Sequence, residues 1–327
     1  MSRLRKFFVC FLMFVLFLST AGVAWAQEWP EKEVEIIIPW EAGGATDVLY
    51  RAVAKYFPKY ANGKQLIIKN VPGGGSAIGY GEGAKARPDG YTLVAAVNPV
   101  ITRALMGPAP YHPIESFDPV CLLVNNPCYI LVNSKLKKWN SLSELVEYVR
   151  ENPGVVTVGN SGAGGGNHLV ALCFESAFDL KFIHVPFDGG GPSVNALLGG
   201  HIDAVVASSP EGFPNVEAGE LEMLAVFAEE RLGKFPQFPT AQEQGYDFTA
   251  FMWRGVVVPK GVDPEIVEQI AEVFKAVLED PDFQKDAENL GQNALYLGPE
   301  EFGKHLASEF ERYQEIITKY ELGEFYK

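Results

Sequence analysis

Short apolar runs alternate with segments of helical periodicity along most of the chain. Each run is four to seven residues long and is bounded by turn residues, which is typical of buried strands. Strands that alternate with helices form a parallel sheet, so the pattern predicts an α/β fold. The six predicted strands of this kind are residues 34–39, 65–71, 91–97, 155–159, 182–186 and 204–207.

The six strands form two series that resemble one βαβαβ unit used twice. VPGGGS at residues 71–76 corresponds to VPFDGGGPS at residues 185–193, and each is followed by a helix, a turn and an apolar strand. Between the series, the Pro-rich residues 98–117 are predicted to be irregular, and residues 125–127 to form a hinge. The remaining predicted elements are strands at 118–124, 128–133, 221–227 and 251–259, and helices from about 142, 264 and 299.

Each unit supplies two Gly-rich loops that connect a strand to a helix. Backbone N–H groups at such helix starts have no partner within the helix, so they can hold an anion. Ligands of open α/β sheets bind at the carboxyl ends of the strands. If the two units face one another, four loops converge on one cleft, and packing turns without a ligand are the alternative. The four loops are residues 39–47, 72–76, 161–168 and 187–193.

The first 26 residues are typical of a secretory signal peptide. Arg3, Arg5 and Lys6 precede an apolar run at residues 7–18, and Ala24-Trp25-Ala26 matches a cleavage site. An uncleaved membrane anchor is the alternative, although the run is shorter than the roughly 20 residues of a membrane span. Cleavage near Ala26 leaves 301 of the 327 residues, which is enough for two domains.

Charge and motifs narrow the possible functions. The signal contains three cations and no acidic residue, so the net charge of −14 becomes −17 after cleavage, which disfavours nucleic acid as a partner. Residues 162–167, GAGGGN, approach the dinucleotide fingerprint but lack its third glycine, and neither GxxxxGK[ST] nor GxSxG occurs. We therefore expect no metal, no cofactor and no enzyme activity, with a secreted enzyme acting on small organic acids as the alternative.

Three cysteines remain after cleavage, and no metal-binding spacing is present. We expect Cys121, Cys128 and Cys173 to be small buried residues. A disulfide between Cys121 and Cys128 is the alternative.

Several segments carry a resemblance to a known family. They cover the mature chain in order, and the chain resembles the periplasmic substrate-binding receptors of tripartite tricarboxylate transporters, also called the Bordetella uptake gene family. The segments are PWEAGGATDVLYR, VPGGGSAIG, ARPDGYTL, GNSGAGGGNHL, HVPFDGGGPSVNALLGGHIDA, Arg231 with FPTAQEQGYDF, and WRGVVVPKG.

The resemblance implies a type II periplasmic binding protein fold. Two α/β domains are joined by two crossovers, with a ligand cleft between them. Each sheet takes an antiparallel strand just after a crossover, a role that fits residues 251–259 in domain 1 and 128–133 in domain 2. The implied boundaries are residues 1–26 for the signal peptide, 27–125 plus 245–327 for domain 1, and 126–244 for domain 2.

The resemblance also implies a function. The chain would be a monomeric periplasmic receptor that binds a small carboxylate-bearing solute, such as a monocarboxylate, a dicarboxylate, an amino acid or an aromatic acid. It would deliver this solute to the integral-membrane subunits of its transporter.

In the family, backbone N–H groups and ordered waters of two matched loops hold a ligand carboxylate. The residues at the matching positions are Ala42, Gly43, Gly44 and Asp47 in the first loop, and Ser161, Gly162, Gly164, Gly165 and His168 in the second. The other two Gly-rich loops and the aromatic residues of the cleft add Trp40, Ser76, Phe187, Gly189 and Gly190 to the predicted site.

Several of these side chains have more than one possible role. Asp47 could pair with a ligand amine, order a water molecule or cap its helix. His168 could donate to a ligand carboxylate or bond to the backbone. Of four aromatic residues that could form walls of the cleft, we expect one or two to touch the ligand and the others to be core. The four are Trp40, Tyr111, Phe187 and Trp253, whereas His112, His184 and His201 are predicted to be structural.

One residue departs from the family pattern. Glu41 stands where members often have a small or apolar residue. A carboxylate facing the ligand there would repel a second ligand carboxylate or favour a ligand amine. The sequence therefore predicts a preference for a monocarboxylate, an amino acid or an aromatic acid over citrate-like ligands.

Overall fold

Strands and helices alternate through the part of the chain that the computed structural model describes, which is residues 29–136, 138–160, 162, 164–187 and 189–326. The predicted signal peptide lies outside these residues. The strands are β1 (Val34–Ile38), β2 (Leu66–Asn70), β3 (Thr92–Val97), β4 (Phe117–Asn133), β5 (Thr157–Asn160), β6 (Ile183–Pro186), β7 (Ala204–Ser208), β8 (Leu221–Phe227), β9 (Phe251–Pro259) and β10 (Ala294–Leu297).

The helices pack on both faces of the strands. None of those that the structure describes is long and apolar enough to cross a membrane. The helices are α1 (Ala45–Tyr60), α2 (Ala77–Ala84), α3 (Pro99–Met106), α4 (Leu142–Glu151), α5 (Gly166–Phe178), α6 (Gly190–Leu198), α7 (Phe213–Glu217), α8 (Pro264–Glu279), α9 (Pro281–Asn289) and α10 (Pro299–Lys319).

Strand pairing shows the repeated unit directly. β1 pairs in parallel with β2 and β3, and β5 pairs in parallel with β6 and β7. In each half the first strand of the unit therefore lies between the other two, and both connecting segments contain a helix. The sequence prediction of one βαβαβ unit used twice is confirmed by this pairing.

Two long strands join the halves. Residues 117–127 of β4 pair antiparallel with β9, while residues 128–133 of the same strand pair antiparallel with β7 and β8. β9 also pairs antiparallel with β3. The antiparallel roles predicted for residues 128–133 and 251–259 are therefore present, and β4 belongs to the sheets of both halves.

Two predictions of irregular structure are wrong. Residues 125–127, predicted to be a hinge between two strands, continue β4 without a break, because each is paired with a residue of β9. Residues 99–106, predicted to be irregular, form α3. Pro99 is the first residue of this helix, where the missing N–H needs no partner, and Val100 and Ile101 are buried. Helix α9 and strand β10 were not predicted.

The core continues across both halves. One apolar cluster lies under α1, α8 and α9 and contains Phe57, Phe274 and Phe283, and another lies under α6 and α7. The third extends through both halves, from Tyr80 to Phe174. Helix α10 packs against α3 of the first half and α5 of the second, so it bridges them on one side.

The cysteines are free and buried within the described residues. Cys121, Cys128 and Cys173 form no disulfide, as the default interpretation expected. Burial raises the pKa of the Cys173 thiol to about 11, so this thiol stays protonated and unreactive near neutral pH.

A buried amide fixes β4 at the junction between the halves. Asn126 is fully buried, and its Nδ2 donates to Oε1 of Gln292 at 2.8 Å. Its Oδ1 accepts from the backbone N–H of Asn293, also at 2.8 Å. The backbone N–H of Asn125 donates to the carbonyl of Asn293 at 3.0 Å. These bonds attach the middle of β4 to the segment between α9 and β10.

Substitution Asn126→Ala should lower the free energy of unfolding by about 2 to 4 kcal/mol, because two hydrogen bonds are lost and their buried partners are left unpaired. Urea denaturation of the mature chain measures this change. Asn215→Ala is the matched control, since the Asn215 side chain bonds Glu220 near the surface, and it should change stability little. Equal effects of the two substitutions would show that the Asn126 bonds do not stabilise the junction.

Candidate functional site

Two helix starts, one in each half, have the same backbone geometry. Gly44 and Gly165 are the N-caps of α1 and α5, with φ and ψ of −74° and 165°, and −69° and 162°. The preceding residues, Gly43 and Gly164, have φ of +87° and +74°, a conformation that explains their identity as glycine. Neither N-cap residue supplies a side-chain cap, so N–H groups of both first turns remain available to an anion.

The third residue of each helix bonds back to its own loop. Oδ2 of Asp47 accepts from the N–H of Gly43 at 2.8 Å, and Nδ1 of His168 accepts from the N–H of Gly164 at 2.9 Å. For both residues the structure therefore contains the backbone interaction that the sequence left as one of the alternatives. The shared geometry makes the two loops equivalent parts of the repeated unit.

The Asp47 carboxylate is hydrogen-bonded to residues of its own half. Its carboxylate is 2% exposed and also accepts from Nε of Arg51 at 2.8 Å and Nδ2 of Asn70 at 3.0 Å. Burial alone would raise the pKa of Asp47, but the hydrogen bonds from Arg51, Gly43 and Asn70 outweigh it and lower the pKa. The carboxylate is therefore ionised and stabilises the first loop.

His168 is neutral and buried. Burial and, to a smaller extent, the neighbouring His184 lower its pKa to about 4, although Glu175 opposes the shift. The ring centroids of His168 and His184 are 4.8 Å apart. Because Nδ1 accepts a hydrogen bond, the proton of the neutral ring is assigned to Nε2, which can donate.

A cavity of about 500 Å³ lies between the two halves beside the second helix start. Its size suits a small organic solute. Nε of Arg103 in its wall donates to the carbonyl of Gly74 at 2.9 Å, which holds the guanidinium beside the cavity. The first half contributes Gly75, Pro99, Thr102, Arg103 and Met106, the second half Gly164, Gly165 and His168, and the C-terminal segment Leu322, Gly323 and Glu324.

Strand β9 contacts both helix starts. A Cβ on Gly166, the first residue of α5, would lie 2.6 Å from Sδ of Met252, so this helix start packs closely on the strand. Two residues further along β9, Nε of Arg254 donates to Oγ1 of Thr46 in α1 at 3.3 Å. Residues two apart on a strand share a face, so one face of β9 lies against both helices.

The fourth loop lies against a carboxyl group of the chain itself, that of Glu211. A Cβ on Gly190 would lie 2.3 Å from Oε1 of Glu211. Oε2 of Glu211 accepts from Nδ2 of Asn167 at 2.9 Å and from the N–H of Ser208 at 3.3 Å. Burial raises the pKa of Glu211, although the bonds from Ser208 and Asn167 oppose this. The helix start at Gly190 is therefore already next to an internal carboxyl group.

The predicted site residues fall into three groups. Gly164, Gly165 and His168 line the cavity, together with Gly75 of the second loop. Ala42, Gly43 and Gly44 are exposed at the first loop, and Glu41 beside them is also exposed and is not part of the cavity wall. Ser161 lies outside the described residues, and Gly162, with φ of +116°, lies against the carbonyl of Phe187.

The remaining predicted residues pack within the protein. Ser76 is buried and its hydroxyl donates to the carbonyl of Gly75. Trp40 is half-buried against Tyr80, and the N–H of Phe187 donates to the carbonyl of Asn160, which holds this loop near the second one. Gly189 has φ of +112° and precedes Gly190.

Two aromatic candidates belong to the core. Tyr111 packs on Tyr80 and Phe117. Trp253 is 1% exposed and donates to Oε2 of Glu309 at 3.1 Å, on the face of β9 opposite Arg254.

The sequence predictions did not include Arg103, Arg254 or Glu211. Arg103 lies in the stretch predicted to be irregular, so its helix and its direction could not be foreseen. Arg254 carried a usable signal, because it is a charged residue inside an apolar run read as a buried strand. Glu211 gave no such signal in the sequence, because it follows a Ser-Ser-Pro turn that resembles many other turns. Within the described residues, no group of His, Cys, Asp or Glu is placed to hold a metal ion.

In comparisons with known proteins, this chain is similar to exported binding proteins. The sequence profile of the tripartite tricarboxylate transporter family receptor matches residues 49–322. BugT of Bordetella pertussis is 29% identical over 311 residues, which cover 93% of this chain and 95% of that protein.

Solved structures show the same similarity. A TctC solute binding protein from Polaromonas has a TM-score of 0.80 and 32% identity, covering 89% of this chain and 99% of its own. An R. palustris protein solved with adipate has a TM-score of 0.75 and 26% identity, covering 89% and 97%. These similarities support the two-domain binding-protein fold expected from the sequence.

The buried His168 should make stability depend on pH. Its pKa is about 4 in the folded protein and 6.5 in the unfolded chain, so the unfolded state binds more protons between these values. The stabilisation is complete above pH 6.5 and should decline by about 1.4 kcal/mol per pH unit, or about 3 kcal/mol in total, as pH falls to 4.

His168→Asn keeps an acceptor for the Gly164 N–H and should flatten this part of the profile. Urea denaturation at half-unit pH steps measures the difference from the unmodified chain. His201→Asn is the control, because His201 is exposed. The assignment is wrong if His168→Asn leaves the slope between pH 4 and pH 6.5 unchanged.

Proposed function

The chain belongs to the tripartite tricarboxylate transporter receptor family, and we propose that it is an exported receptor that binds a small carboxylate between its two halves. The observation that carries the proposal is the pair of matched helix starts at Gly44 and Gly165. Each supplies N–H groups from a different half, so a carboxylate held by both stabilises the closed arrangement of the halves.

The cavity beside the second helix start supports a carboxylate ligand. His168 presents a neutral ring with Nε2–H, and Arg103 supplies a positive charge in a protein whose mature net charge is −17. Local donors must overcome the overall negative field. These two groups supply such donors at the cavity, whose wall also contains Glu324. The R. palustris protein solved with adipate supports dicarboxylates among the candidate ligands, which also include monocarboxylates, amino acids and aromatic acids.

The proposal also covers the cellular compartment in which the protein acts and the membrane subunits to which it delivers its ligand. The signal peptide is removed near Ala26, the mature chain acts in the periplasm as a monomer, and the closed receptor delivers its ligand to integral-membrane subunits. The proposed domains are residues 27–125 plus 245–327, and residues 126–244. The chain passes from the first half to the second along β4. It returns between β8, which pairs with β4 in the second half, and β9, which pairs with β3 in the first.

We infer binding without turnover from the chemistry of the cavity. Its wall contains the hydroxyl of Thr102 and the imidazole of His168. Nδ1 of His168 is already bonded to Gly164, and a pKa of about 4 makes the ring a weak base near neutral pH. A secreted enzyme acting on small organic acids remains the second hypothesis, and the binding experiment includes a direct test of it.

Mature protein should be stabilised by at least one of adipate, hexanoate, glutamate and benzoate, and not by the neutral adipamide. A bound ligand at 100 times its Kd adds about 2.7 kcal/mol of stability. Differential scanning fluorimetry followed by calorimetry measures the effect, and NMR of the same mixtures reports turnover. Absence of binding to all four carboxylates contradicts the proposed function, and loss of ligand signal with appearance of product supports the enzyme instead.

Gly44→Val should weaken carboxylate binding at least about tenfold while leaving the ligand-free melting temperature nearly unchanged. The backbone of Gly44 suits any residue, and a Cβ there would meet no protein atom closer than the Glu41 carbonyl at 3.8 Å, so the new side chain obstructs only a ligand. Gly233→Val is the matched control, because a Cβ there meets nothing within 4 Å. Unchanged affinity in Gly44→Val would exclude the first loop from the site.

A further inference from the structure

Arg254 is a partly buried cation that forms no salt bridge within the described residues. It lies in β9 opposite Val97 and Val124 of the neighbouring strands. Nε donates to Oγ1 of Thr46, whereas Nη1 is shielded from solvent and has no hydrogen-bond partner. A guanidinium stays charged under all ordinary conditions, so this nitrogen carries an N–H group with nothing to accept it.

The nearest acidic group does not neutralise Arg254. Glu211 attracts the guanidinium electrostatically, but the two form no salt bridge within 4 Å. One oxygen of Glu211 is already bonded to Asn167 and Ser208. An unpaired buried N–H of a charged group is costly, and a bound ion or ligand is one of the explanations for it.

The surroundings of Arg254 add to the positive potential. Thr46 is the second residue of α1, so the guanidinium lies at the positive end of that helix. The same face of β9 carries Met252, which packs on Gly166 at the positive end of α5. Arg254 therefore belongs to the strand face that contacts the two helix starts. The acidic groups near it are Asp47, which is paired with Arg51, and Glu211, which is bonded to Asn167 and Ser208.

We propose that Arg254 is the charged anchor of the ligand, and that its unpartnered Nη1–H donates to one oxygen of the ligand carboxylate held between the two helix starts. This inference rests on the proposed function and adds the chemical class that the site requires. The receptor binds an ionised carboxylate and rejects the corresponding amide, because a planar guanidinium matches the geometry of the anion.

A structural role is the competing explanation for Arg254. If its task is to hold Thr46 and the first loop, replacing it should destabilise the ligand-free protein. If Arg254 binds the ligand anion, its replacement by an apolar residue of similar length removes a charge that forms no salt bridge within the described residues of the ligand-free protein. The ligand-free protein should then be equally or more stable, while its affinity for the carboxylate falls. Stability and affinity thus change in opposite directions under the proposal and in the same direction under the alternative.

Arg254→Met should lower affinity for adipate at least about tenfold, or for hexanoate, glutamate or benzoate where that is the carboxylate the unmodified protein binds. The same variant should keep or raise the ligand-free melting temperature. Arg254→Lys retains the charge but not the planar fork, so its affinity should be intermediate. Arg87→Met is the control, because Arg87 pairs with Asp89 at the surface and its loss changes the net charge equally.

The outcomes separate this inference from the proposed function. If the unmodified protein binds none of the four carboxylates, the proposed function fails and the assignment of Arg254 fails with it. If it binds one, and Arg254→Met binds it within twofold of the unmodified protein, the function stands and the Arg254 assignment is overturned. A fall in ligand-free melting temperature that accompanies the loss of affinity also overturns it, in favour of the structural role.

Discussion

A single strand that belongs to both sheets is the constraint on which the rest of the molecule depends. The first eleven residues of β4 pair with β9, and the last six pair with β7 and β8. Because the backbone hydrogen bonds continue through the junction, the halves cannot separate, and relative motion is confined to bending of β4 and β9. The buried amide of Asn126 limits this bending further by fixing β4 to Gln292 and Asn293. The two copies of the βαβαβ unit are thereby kept with both helix starts against the same face of β9.

The Gly-rich loops could be predicted from the sequence because glycine occurs where the backbone conformation requires it. Gly43 and Gly164 have positive φ, and so does each residue from Gly73 to Gly75. Glycine is required at these positions because no other residue adopts positive φ easily. The strands were equally visible, since burial on both faces requires apolar runs. Both features depend on short stretches of chain, which is why one sequence was sufficient to find them.

The wrong and missing predictions concern residues whose structure is set by contacts with distant parts of the chain, which no short segment of sequence shows. Asn125 and Pro127 resemble a hinge locally, yet the register with β9 makes them part of a strand. The Pro-rich stretch hides α3 because proline is harmless at a first helical position. Glu211 reaches Gly190 across a turn and a helix, so its carboxylate could not be assigned to the fourth loop in advance. The predicted influence of Glu41 on selectivity requires a side chain that faces the ligand, whereas Glu41 is exposed and outside the cavity wall.

The two helix starts are equivalent in backbone but differ in the charge of their third residue, and this difference explains why an arginine is needed on one side. In the second half, the third residue of the helix is the neutral His168, so the positive end of α5 remains available to an anion. In the first half, the corresponding residue is the ionised Asp47, whose carboxylate offsets the positive end of α1. Arg51 pairs with Asp47 but lies half exposed, where solvent weakens its field. Arg254, whose Nη1 is buried, is bonded to Thr46 and therefore restores, at the first helix start, the positive potential that Asp47 removes. A carboxylate between the halves would then meet comparable attraction from both sides, which is the condition for a ligand to hold the two halves together.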